Sequence, residues 1–103
     1  MSSLRDYRGV NIRLSDERLA HMLDVHPEIA ANEHFIAETV GAPEIVVQSR
    51  SDARARLYYR GYRLDDLGEK RLCVLVLMAD DPFVLTAYFT DRIKKGEILW
   101  RRE

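Results

Sequence analysis

The chain reads as an α+β domain, with two N-terminal helices packed on a four-stranded, mainly antiparallel sheet. Three observations predict it. Helix signals are confined to the residues before Pro43, the apolar spacing after it switches to the strand period, and short Asp- and Gly-bearing connections separate the later apolar runs.

Along the chain, GVNIRLS alternates Val10, Ile12 and Leu14 with polar residues, which suits a short edge strand or an extended lead-in. Ser15 then offers an N-cap, and Asp16 and Glu17 put negative charge in a first helical turn, where the helix dipole favours it. The spacing predicts a helix from about 16 to 25 with Leu19, Met22 and Leu23 as its apolar stripe. Pro27 cannot continue that helix but can start another, so His26 falls at a corner. A second helical segment runs through Ile29, Phe35, Ile36 and Val40, with Asn32 an internal cap or kink, and stops at Gly41-Ala42-Pro43.

Four strands are then expected in EIVVQSR, ARLYYRGYR, KRLCVLVLMA and FVLTAYFTDR, joined by SDA, LDDLGE and DDP as an antiparallel meander. KRLCVLVLMA is apolar on both alternations, the mark of a central strand covered on both faces. Strict alternation in FVLTAYFTDR places Phe83, Leu85, Ala87 and Phe89 on one face and Val84, Thr86, Tyr88 and Thr90 on the other. After a turn at Lys95-Gly96, Ile98, Leu99 and Trp100 dock on the core.

The 103 residues suit one domain, spanning 1–103 with its core from about 9 to 100. Hydrophobic residues make up 47% and charged residues 32%, which fits a folded, soluble chain. No apolar run approaches the roughly 18 residues of a membrane span, and MSSLRDYRG has no signal-peptide core, so a cytoplasmic location is expected. Cys73 is the single cysteine, so an internal disulfide and a thiolate metal cluster are both excluded. A formal charge of -1 does not mark a nonspecific nucleic-acid binder, but two local cationic clusters stand out. Arg50, Arg54, Arg56, Arg60 and Arg63 form one, and Arg92, Lys94, Lys95, Arg101 and Arg102 the other.

Candidate chemistry starts with the histidines. His21 and His26 lie about 140° apart around a helix axis, so they cannot share a face as helical zinc ligands do, and no metal site or cofactor is expected. Imidazole titrates near neutrality, so two histidines at a corner can serve general acid-base chemistry; the competing reading is a helix-surface His21 and a His26 that caps a helix end. Tyr58, Arg60 and Tyr62 form a strand row that Arg54 and Arg56 continue, and Thr86, Tyr88 and Thr90 form another. If the two rows share a sheet face, that face can grip phosphate and stack on a base; if not, these are residues that favour strands and solvated arginines. Asp65-Asp66 and Asp80-Asp81 fall in hairpin turns and read as turn residues.

A helix carrying His21, then HPE at 26–28, ETVGAPEIV from Glu38, LYYRGY from Leu57, LCVLVL, and the closing LTAYFTDRIKKGEILW together resemble the phage-associated PBECR domains, named for similarity to the barnase, EndoU, colicin and RelE nucleases. The resemblance covers roughly residues 9 to 100 and rests on the order and spacing of short motifs. It implies a BECR-like fold and a metal-independent endoribonuclease, toxin-like or carried by mobile elements, that makes the ribose 2′-OH attack the adjacent phosphate. Carried onto this chain, His21 and His26 are the base and acid candidates, Arg60 the phosphate clamp, and Thr86 and Tyr88 donors to the transition state. Tyr58 or Tyr59 would stack on a base, and Arg54, Arg56, Thr90, Lys94 and Lys95 would hold the RNA. The implied partners are RNA, with transfer RNA or ribosome-associated RNA as candidates, and a neutralising protein; no membrane is implied. The rival reading is a non-catalytic RNA- or protein-binding module using the same basic and aromatic face. A third is an oligomeric structural or regulatory protein with an interface at Val84 beside Tyr88, the oligomeric state being open.

Overall fold

A computed structural model describes residues 2–103. The seven strands are β1 (Ser2–Arg5), β2 (Asn11–Leu14), β3 (Ile45–Gln48), β4 (Ala55–Leu64), β5 (Gly68–Leu77), β6 (Phe83–Thr90) and β7 (Ile98–Arg101). They join in the order β1-β2-β6-β5-β4-β3-β7, a mixed sheet curled into a half-barrel. Three short helices accompany it: α1 (Asp16–Val25), a 3₁₀ segment (Pro27–Asn32) and α2 (His34–Gly41). The expected arrangement of two helices on a four-stranded antiparallel sheet is therefore overturned. β3 to β6 do pair antiparallel in sequence order, but three further strands extend both sides, and β2 meets β6 in parallel at Arg13↔Phe83.

Each added strand depends on contacts that local spacing does not carry. The β1–β2 hairpin is held by Asp6, whose buried carboxylate accepts hydrogen bonds from the backbone N–H groups of Arg8 and Val10, both at 2.9 Å. Gly9 supplies the positive φ of 85° that this turn needs. The Tyr58 hydroxyl donates to the other Asp6 oxygen at 2.9 Å, tying the hairpin to the centre of the sheet. At the opposite edge the expected docking of the tail holds only for Trp100, which packs on the core, whereas Ile98 and Leu99 are exposed. The tail pairs as β7 with β3, and its Trp100 ring lies 4.9 Å from the Tyr7 ring. Entry into β7 requires Gly96, because a Cβ there would sit 2.2 Å from the Gln48 carbonyl oxygen and 2.8 Å from Val47 Cγ1.

The helical segments form for the local reasons expected of them. The Ser15 hydroxyl accepts from Arg18 N–H at 3.1 Å, and α1 begins at Asp16. It ends at His26, whose non-helical backbone (φ -127°, ψ 74°) before Pro27 leaves the helix while its N–H still donates to the Met22 carbonyl at 2.6 Å. The second helical segment is broken into the 3₁₀ segment and α2, with the Asn32 side chain donating back to the Glu28 carbonyl at 3.1 Å.

Both sheet faces are covered. Under the helices lie Ile12, Met22, Ile29, Ile36, Val40, Tyr58, Leu72, Val74, Val76, Val84 and Ala87. On the other face Ile45, Val47, Leu57, Tyr59 and Cys73 pack with Leu75, Tyr88 and Ile93. Met22 is fully buried, and sealing a side chain of that size from water stabilises by about 1.5–3 kcal/mol.

Candidate active site

Strand register decides which candidates meet. Tyr59 and Tyr88 both oppose Cys73, whereas Tyr58 and Ala87 both oppose Val74. Tyr88 and Thr86 thus share a face with Tyr59 and Leu57, and the row Arg56, Tyr58, Arg60, Tyr62 lies on the opposite, helix-covered face. The shared face allowed for in the sequence is not formed. Val84 is corrected as well: Leu75 opposes Thr86 and Val76 opposes Val84, so Leu85 is the extra residue of a bulge. The bulge turns Val84 into the main core, where it is fully buried and not beside Tyr88.

Arg60 is committed to structure. Its Nη1 donates to the Ala42 carbonyl at 2.6 Å, the C-cap of α2, and Arg102 donates to the same oxygen at 3.0 Å. Arg60 Nε lies 3.4 Å from the Glu38 carboxylate without meeting hydrogen-bond geometry, and the guanidinium rests 5.8 Å from the Tyr62 ring centre. It does not project as a phosphate clamp. Tyr58 and Tyr59 are fully buried, Tyr58 on Asp6 and Tyr59 accepting Lys94 N–H at 3.0 Å, so neither ring is open to stack on a base. Tyr62 stacks on Phe35 at 3.9 Å, and burial pushes its phenol up to about 12. Arg54 is exposed and held against Asp52, Nε to Oδ1 at 3.5 Å.

The two histidines part company. His26 continues the Leu19, Met22, Leu23 stripe toward the sheet, while His21 is exposed and, among the described residues, makes no hydrogen bond, ion pair or ring contact. His26 finds Tyr88. Their ring centres are 5.8 Å apart at 35°. This is possible because α1 and the 3₁₀ segment, not a strand, flank β6 beyond its short pairing with β2. The His26 side chain is 32% exposed, and its Nδ1 lies 3.7 Å from Glu28 Oε1, close enough for attraction and too long for a hydrogen bond.

Around that pair the chemistry is a donor array. Burial, and then the adjoining Cys73 thiol, push the Tyr88 phenol above the ordinary tyrosine range, so it is an O–H donor at neutral pH. Burial also pushes the Cys73 thiol up, against the opposing pull of Tyr88, Tyr59 and the Lys94 charge, so Cys73 is a protonated core residue. Lys94 and Lys95 are exposed on the segment that covers this face. Thr86 lies on the same face one pair away from Tyr88, and the Thr90 hydroxyl is engaged with the Arg92 backbone at 3.2 and 3.3 Å. Glu28, named in the sequence only as part of HPE, gained no role there; a corner carboxylate two residues after a histidine was the available signal.

Among the described residues, no group of three or more His, Cys, Asp and Glu side chains is placed to hold a metal ion, and no helix is long and apolar enough to cross a membrane. No family model, curated protein or solved structure matches the chain.

Proposed function

We propose that this chain is a metal-independent endoribonuclease acting at the His26–Tyr88 corner, toxin-like, with its substrate in the cytoplasm and a neutralising protein partner. The observation that carries the reading is the partly exposed imidazole against a neutral phenol at an unpaired sheet margin. With Nδ1 turned to Glu28, Nε2 is the nitrogen free to take the 2′-OH proton. The 2′-oxygen bonds to phosphorus, the bond from phosphorus to the 5′-oxygen breaks, and the Tyr88 hydroxyl supplies the proton that the leaving oxygen takes up. The Lys94 charge and the Thr86 hydroxyl offset the charge gathering on the phosphoryl oxygens. The products are a 2′,3′-cyclic phosphate and a 5′-hydroxyl.

His21 has no part in this scheme, because it is exposed and about 140° around the helix from His26. The test is cleavage of pooled transfer and messenger RNA in EDTA. His26→Ala is expected to cost at least about 100-fold in rate with the fold intact, and His21→Ala to leave the rate within about twofold. A folded His26→Ala variant cutting at the wild-type rate, or a well-folded wild type that cuts no RNA, overturns the reading.

A further inference from the structure

A cleft of about 450 Å³ opens on the sheet face that carries Tyr88, where Gly61, Arg71 and Thr90 lie in register across β4, β5 and β6. Glu44, Arg63, Glu69, Lys70 and Asp91 complete its charged lining. Most of those charges answer one another. Lys70 Nζ binds Asp91 Oδ1 at 2.8 Å, and Arg63 faces Glu69 at 3.5 Å. Two groups are left over. Arg71 spends one N–H on the Asp91 carbonyl at 3.3 Å, and Glu44 accepts one backbone bond, from Gly61 N–H to Oε1 at 3.0 Å. Glu44 Oε2 has no hydrogen bond or ion pair among the described residues.

Gly61 fits the cleft for a steric reason. A Cβ there would lie 3.3 Å from Glu44 Oε1, so the carboxylate would have to give by a few tenths of an ångström, whereas glycine lets it seat against the strand backbone. The result is a held acceptor and a guanidinium with N–H donors to spare, both lining one cleft of small-ligand size. Thr90 is two residues beyond Tyr88 on the same face, about 6–7 Å along the strand, so the cleft sits next to Tyr88.

We infer that this cleft is a base-selecting nucleotide subsite for the residue adjoining the scissile phosphate, with Arg71 on its phosphate and Glu44 on its base; the inference rests on the ribonuclease reading above. An ionised carboxylate only accepts hydrogen bonds. Adenine, cytosine and guanine bring it an exocyclic amino group. Uracil brings a single ring N–H flanked by two carbonyl oxygens, which would face the carboxylate and repel it, so uridine is rejected at this position.

The test is a titration of the intact protein with adenosine, cytidine, guanosine and uridine monophosphates, followed through the backbone amide resonances of Gly61 and Thr90. Uridine monophosphate is expected to bind at least about 10-fold more weakly than the other three. Glu44→Gln keeps an oxygen for Gly61 N–H while adding a donor, and should erase that difference. Arg71→Ala should weaken all four alike. Equal affinity for all four in the wild type, no binding of any, or a preference that survives Glu44→Gln overturns the inference. The two readings fail separately: selective binding without RNA cleavage removes the nuclease and keeps the subsite, and His26-dependent cleavage with unselective binding does the reverse.

Discussion

Raising the pH should unfold this protein through its tyrosines. Burial pushes the phenols of Tyr58, Tyr59, Tyr62 and Tyr88 above the ordinary value of 10.0, aided by Asp6 at Tyr58 and by Cys73 at Tyr59 and Tyr88. The folded state therefore holds protons that the unfolded chain releases above pH 10, and stability is full below that pH and falls as pH climbs toward the folded values. Each such proton removes about 1.4 kcal/mol per pH unit. Tyr58 and Tyr59, both fully buried, together give a slope of about 2.7 kcal/mol per unit, and the half-buried Tyr62 and Tyr88 add a share reduced by solvent screening. For a domain at the lower end of the usual stability range, about 5 kcal/mol, that slope removes the whole margin within about two units above pH 10, so cooperative loss of structure is expected near pH 12, and later for a more stable fold. Urea melts at stepped pH, with tyrosinate absorbance read in parallel, give the slope directly. Tyr58→Phe should flatten it and also lower neutral-pH stability by about 1.5–3 kcal/mol, because Asp6 Oδ2 loses its closest donor. Tyrosine ionisation that proceeds smoothly near pH 10 with the fold intact would refute the reasoning.

Two other substitutions separate structural from chemical roles. Gly96→Ala should destabilise by about 1–3 kcal/mol and loosen β7 first, read as faster amide exchange at Gln48 and Val46, since its new methyl meets the Gln48 carbonyl and Val47; an unchanged melting temperature would contradict that contact. Arg60→Ala should cost about 1–3 kcal/mol in a denaturant melt through loss of the α2 cap, with RNA cleavage by the folded fraction unaltered, and a rate loss at constant stability would return Arg60 to the chemistry.

Local rules were enough for much of the chain. Ser15 with Asp16 and Glu17 marks the start of α1, Pro27 its end, and period-two runs mark the four meander strands, because caps, prolines and alternation act between near neighbours. The doubly apolar KRLCVLVLMA run likewise becomes a central strand buried on both faces. The corner that presents His26 is legible in the HPE triplet.

Sequence by itself determined those elements, the lack of an internal disulfide and the histidine corner. Tertiary structure decided the rest: that four-residue segments at both ends become strands, that β2 joins β6 in parallel, and which face each functional residue occupies. A short edge strand takes its identity from the neighbour that completes its hydrogen bonds, and a single bulge residue, Leu85, inverts the facing of the β6 residues before it relative to those after it. That is why Val84 and Tyr88, four residues apart and alike by alternation, end on opposite faces. The regular register beyond the bulge places Tyr88 on the row of Cys73, where it meets His26, and Arg60 on the row of Leu72, where it caps a helix.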